Sequence, residues 1–191
     1  VAAERAPYRD PSLPVEARVQ DLLARMTPAE KLWQLFMVSA PDYDPQDYAA
    51  GAYGLQIGVA ASADEARARI ATLQRHFAQD TRLGIPMIPF AEALHGLVQA
   101  EATVFPQAIG LAASFDTELM TQVATAIADE CRSMGIRQVL SPVVNIASDP
   151  RWGRVEETYG EDPYLSAAMG AAFVAALERR GVVATPKHFI A

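Results

Sequence analysis

Capped helix sequences and short apolar runs alternate along this chain, and few architectures accommodate that rhythm. "VEARVQDLLARM" (15–26) sets Val15, Val19, Leu22, Leu23 and Met26 on one helical stripe. "TPAE" follows, with Thr27 as cap, Pro28 at the first helical position and Glu30 completing a capping box. Trp33, Leu35 and Phe36 give that second helix its apolar surface. "SADE" (62–65) opens another helix, expected to run to about Asp80, and Gly84 closes the turn after it. "IPMIPF" (85–90) then reads as a buried strand whose hydrogen bonding is limited by Pro86 and Pro89.

The pattern repeats twice more. Asp116 starts a helix expected to reach Met134, where Gly135 suits the left-handed closing position. "QVLSPVVNI" (138–146) reads as a strand. Asp162 caps a helix with Pro163 at its first position, Leu165, Met169, Phe173 and Leu177 line one face, and Gly181 stops it. "GVVATPKHF" (181–189) reads as the next strand. Strands separated by single helices predict βαβ units and a parallel sheet, so the fold class is α/β. A doubly wound nucleotide binder would carry a glycine-rich first turn, and neither G-x-G-x-x-G nor G-x-x-x-x-G-K-[ST] occurs. "EALHG", "SDPRWGR" and "KH" each follow a strand-like run, which is where a (β/α)8 barrel places its chemistry.

Composition narrows the function classes. The chain has 191 residues, enough for one domain core, and a formal net charge of -7, which argues against a nucleic-acid partner. No apolar run is long enough to cross a bilayer. Three His and one Cys without ligand-like spacing argue against a metal site, and Cys131 cannot form an internal disulfide. The start, "VAAERAPYRD", is compatible with a processed end, so a periplasmic or secreted location is the expectation and the cytoplasm the alternative.

The richest stretch is 149–162, where Asp149, Arg151, Arg154, Glu156, Glu157, Glu161 and Asp162 crowd a loop with Trp152 and Tyr159. Two readings stand side by side. The loop is either held by arginine–carboxylate pairs, or one arginine turns its donor fork toward a hydroxylated ligand. Lys187 and His188 equally admit a surface lysine and a satisfied core histidine. Glu92 admits a structural carboxylate.

Taken in order, "EALHG", "ATVFPQAIGLAASFD", "SPVVNIASDPRWGRVEETYGEDPYLSAAMG" and "KHF" resemble glycoside hydrolase family 3 over nearly the whole chain. The resemblance implies a (β/α)8 TIM-barrel-like domain, incomplete in this chain. Residues 1–191 would form its N-terminal portion, with the remaining strands and any second domain after residue 191. It implies a retaining exo-β-glycosidase that removes non-reducing terminal β-D-glucosyl residues from oligosaccharides or aryl glycosides, without a cofactor. It assigns sugar binding to Arg154, Lys187, His188 and Glu92, leaves Arg151 structural, and gives His95 either the sugar or the orientation of Glu92 and its loop.

It also implies that no catalytic residue lies in this chain. The nucleophilic Asp and the acid/base Glu are expected after residue 191, so the isolated segment is expected to be inactive and to need the remainder of the barrel. An open parallel sheet would also expose an edge prone to pairing. The resemblance also bears on specificity: many of the family's glucosidases carry Asp where this sequence has Glu92. The longer side chain would intrude where the C6 hydroxymethyl of glucose sits and xylose has none, which favours β-xylosidase as the alternative. A non-catalytic carbohydrate-binding or scaffold protein is the alternative of another class. "KHFIA" departs from the shorter motif of the family's N-acetylglucosaminidases.

Overall fold

Five short strands form one parallel sheet in the computed structural model, which describes residues 6–39 and 44–189. They are β1 (Met37–Val38), β2 (Gly54–Gln56), β3 (Ile88–Ala91), β4 (Gln138–Val139) and β5 (Val183–Ala184). Their spatial order is their sequence order, with Met37 opposite Gly54, Leu55 opposite Pro89, Phe90 opposite Gln138 and Val139 opposite Ala184. A doubly wound sheet reverses its strand order at a switch point. This sheet does not, and a wall that adds each strand beside the last is the arrangement of a barrel. The fold is α/β and TIM-barrel-like, and the described residues carry five of the eight strands that a complete barrel has.

The helices are α1 (Val15–Arg25), α2 (Pro28–Trp33), α3 (Ala63–Arg75), α4 (Ala108–Ala112), α5 (Thr117–Met134) and α6 (Pro163–Arg179). Local chemistry fixes their starts. Thr27 accepts from the Glu30 amide while Glu30 accepts from the Thr27 amide, the reciprocal box that the sequence predicts. Arg82 binds the same carboxylate and, with Thr27, lowers its pKa to about 2. Ser62, Asp116 and Asp162 cap α3, α5 and α6. Gly135 closes α5 at φ 91°, a backbone conformation that costs other residues a steric clash.

The main core lies where α5 and α6 pack on the sheet. Val123, Ile127, Cys131 and Met134 of α5 meet the buried Met169, Phe173 and Leu177 of α6, around Val139. The spacing of these positions is the helical stripe legible in the sequence. Cys131 is fully buried and its thiol is pushed up to about 12 by burial, so it is packing and not a nucleophile.

Several expectations shift. The helix after Ser62 ends at Arg75 and changes into a π-helical turn, His76–Asp80, instead of running regularly to Asp80. α2 stops at Trp33, leaving Leu35 and Phe36 exposed. The β4 ladder ends at Val139, well short of residue 146, although Val143 bridges Lys187. Pro89 sits in a central strand, where its carbonyl accepts from the Arg137 amide although it has no N–H to give.

Candidate functional site

A parallel sheet gathers the carboxyl ends of all its strands at one edge. Glu92 directly follows β3, and Lys187 and His188 lie three and four residues beyond β5. The segment after β4 stays zipped to the segment after β5. Thr185 N–H donates to the Ser141 carbonyl, Lys187 N–H to Pro142 and Val144 N–H to Lys187. Asn145 comes next on that segment, and the loop continues to Arg154 and the 3-10 turn Val155–Glu157. Tyr159 is buried beneath the loop, and Ala147 N–H donates to the Gly160 carbonyl across it.

These elements bring four side chains predicted from the sequence into one cluster of two hydrogen-bonded groups, Lys187 with Glu92 and Arg154 with His188, within electrostatic reach of each other. Lys187 Nζ lies 3.0 and 3.1 Å from the two oxygens of Glu92. Arg154 donates from Nε and Nη2 to the two oxygens of Glu157, both at 2.6 Å, a fork-on-fork pair. Its Nη1 lies 3.1 Å from Nε2 of His188. Asn145 Oδ1 accepts from the His188 amide at 3.0 Å and faces Nδ1 of the same ring at 2.9 Å. Arg154 links the loop half to the strand half through His188.

The charges are balanced within the cluster. The Arg154 guanidinium, hydrogen-bonded to Glu157, holds that carboxyl below the usual carboxylate range, so Glu157 is an acceptor and not a proton donor. Burial, followed by the charges of Arg154 and Lys187, pushes the His188 imidazole below its ordinary value, against the opposing pull of Glu157 and Glu92. The result is a neutral ring between two cations and two carboxylates. Lysine and arginine supply only donors and carboxylates only acceptors, so the cluster presents both kinds of group at one strand-end edge. Vicinal sugar hydroxyls, which donate and accept, suit that mixture.

Two other residues fall outside the cluster's contacts. His95 Nδ1 bonds the Phe105 carbonyl at 2.8 Å while the Phe105 amide donates to the His95 carbonyl, so this residue clamps the loop after β3. Gly96 beside it has φ 131°, and a Cβ there would run into the Thr103 carbonyl. Arg151 is exposed and pairs with Asp149. Asn145 and Glu157 are the members that sequence reasoning did not assign. Among the described residues, no group of three or more His, Cys, Asp or Glu is placed to hold a metal ion.

The pKa directions carry a stability prediction for the full-length protein. His188 takes a proton near pH 6.5 when unfolded but resists it when folded, so acid favours the unfolded chain. Its contribution is present above about pH 6.5 and is lost as pH falls through that value toward the lower folded one. Glu157 behaves alike lower down, its contribution present above about pH 4.3 and lost on further acidification. Melting temperature measured from pH 7 down to about pH 2 is expected to fall through both ranges, and His188→Gln is expected to flatten the upper one. An unchanged upper slope in that variant would remove His188 as its source.

Residues 29–191 match the model of the glycosyl hydrolase family 3 N-terminal domain. A β-xylosidase of Formosa agariphila is 40% identical over 136 residues, covering 64% of this chain and 19% of that protein. A periplasmic β-glucosidase of Salmonella typhimurium is 34% identical over 183 residues, covering 92% of this chain and 23% of that protein. Among solved structures, a β-glucosidase from Erythrobacter marinus superposes with a TM-score of 0.84 at 32% identity, over 97% of this chain and 27% of that one. The chain thus spans about a fifth to a quarter of the length of these curated relatives.

Proposed function

The chain belongs to glycoside hydrolase family 3, and on that premise we propose that it supplies part of the sugar-binding site of a retaining exo-β-glycosidase. The substrate is a β-linked oligosaccharide or aryl glycoside, from which a non-reducing terminal β-D-glucosyl residue is removed. The observation that carries this reading is the convergence of Glu92, Arg154, Lys187 and His188 at the carboxyl edge of the sheet. They come from three segments far apart in sequence, and their joint hydrogen-bonding capacity suits a polyhydroxylated ring.

Binding and bond breaking are divided between parts of the protein. Retention requires a nucleophilic carboxylate and an acid/base about 5 Å apart. The cluster's two carboxylates are each paired with a cation, which suits gripping hydroxyls. The nucleophilic Asp and the acid/base Glu are assigned to the remainder of the full-length protein, which also completes the barrel. Energy from hydroxyl contacts accelerates the reaction to the extent that those contacts strengthen as the ring approaches its oxocarbenium-like transition state. A periplasmic or secreted location is supported by the Salmonella relative, which is named as periplasmic.

β-Xylosidase is the second reading. Glu92 favours it because it is one methylene longer than the aspartate of many family glucosidases and would leave less room for a C6 hydroxymethyl, and Lys187 holds its carboxylate. The 40%-identical relative named as a β-xylosidase lends support. A side-by-side assay of aryl β-glucoside and aryl β-xyloside with the full-length protein decides between them. Glu92→Asp is expected to raise the glucoside-to-xyloside ratio of kcat/KM by about 10-fold, since one methylene in a pocket discriminates by that order. An unchanged ratio would mean that Glu92 is not the gate.

A further inference from the structure

We propose that Asn145 is a positioning residue that fixes His188 in the neutral tautomer with its proton on Nδ1, so that Nε2 serves as a hydrogen-bond acceptor. The geometry leaves little freedom. Arginine has only donors, so the contact between Arg154 Nη1 and His188 Nε2 requires a bare lone pair on Nε2. The proton of the neutral ring then sits on Nδ1 and points at Asn145 Oδ1, 2.9 Å away. The same oxygen accepts the His188 backbone N–H at 3.0 Å, using both lone pairs of one amide oxygen. Two donors on one atom also fix which way the Asn145 amide faces.

The chemical consequence concerns what the site offers a ligand. The charged groups facing the ring are Arg154 and Glu157 from the loop after β4, Lys187 from its own segment and Glu92 from the end of β3. Arg154 and Lys187 can only donate. The single lone pair of His188 Nε2 is taken by Arg154 Nη1, so the ring holds the guanidinium in place, and two of the guanidinium's five N–H bonds stay free for a ligand oxygen. An imidazolium would turn an N–H toward Arg154, giving two donors and two like charges face to face. An aspartate at position 145 would match the shape of asparagine and attract that extra proton. The amide therefore suits the role where the carboxylate would not.

This role deepens the sugar-site reading and rests on it for its purpose, but its test needs no sugar. The ring nitrogens of His188 are followed by 15N NMR in full-length protein labelled at histidine, with the resonances assigned by their loss in His188→Gln. In the wild-type protein Nδ1 is expected to be protonated and Nε2 bare at pH 7. In Asn145→Asp the titration midpoint is expected to move up by about one pH unit or more. The acid limb of kcat/KM is expected to move with it. A wild-type ring protonated on Nε2, or already charged at pH 7, overturns the proposal whether or not the variant folds. A midpoint unmoved in folded Asn145→Asp overturns it as well. A protein with the expected tautomer that hydrolyses no β-glycoside would instead defeat the proposed activity and leave the positioning role standing.

Discussion

Lys187→Met in the full-length protein is expected to lower kcat/KM for its preferred aryl β-glycoside by about 10- to 100-fold. The ammonium spans both Glu92 oxygens at 3.0 and 3.1 Å and is mostly buried. Methionine keeps the packed stem and removes the donors. A hydrogen bond from a charged group contributes about 1.5–3 kcal/mol, and the variant also leaves Glu92 without its partner. If the contacts strengthen at the transition state, kcat falls while KM rises. Arg154→Met acts on the other half of the cluster and frees Glu157. Because Glu92 acts on Arg154 and Lys187 on Glu157 through their charges, the combined effect of the two variants is expected to be smaller than the product of the single effects. Near-normal kinetics in both would reduce the cluster to a structural device.

The second large effect concerns the scaffold. Phe173→Ala is expected to destabilise the fold by about 3–5 kcal/mol, seen as a lower denaturant midpoint at unchanged slope. Phe173 is 1% exposed and lies in the core formed where α5 and α6 pack. That is a large fraction of the roughly 5–15 kcal/mol by which domains are stable. The cost arises from lost burial and from a cavity that rigid neighbours cannot fill. A loss under about 1 kcal/mol would show that α6 collapses onto the vacated space.

The residues that were legible in the sequence act locally. Thr27 with Glu30, Ser62, Asp116 and Asp162 each bond a backbone group within a few positions, so their roles can be read without knowing the fold. The stripe of α5 and α6 was equally readable, because burial on one side imposes the helical period. β1 and β2 were not, being two and three residues long with no alternation to detect. β4 was overread, since its apolar run continues past Val139 into a segment held by Thr185 and Lys187 instead of a full ladder. The π-helical turn His76–Asp80 was not legible, because a helical period in the sequence does not announce a change of hydrogen-bond spacing.

The site divides in the same way. Glu92, Arg154, Lys187 and His188 were marked by the resemblance of the motifs that hold them, since the residues alone left a structural reading open for each. Glu157 left a faint signal, an acid three residues after Arg154 at a spacing that suits a pair. Asn145 left only its place at the end of an apolar run. Its role depends on His188, 43 residues away in sequence, and becomes visible only when the segments after β4 and β5 lie side by side.

A crystal of the full-length protein soaked in glucose tests the central claim most directly. A pyranose is expected at the carboxyl edge of the sheet, with hydroxyl oxygens about 2.7–3.2 Å from Arg154, Lys187, His188 and Glu92. A sugar bound elsewhere, with the Lys187–Glu92 and Arg154–His188 contacts closed and unoccupied by ligand, would contradict it.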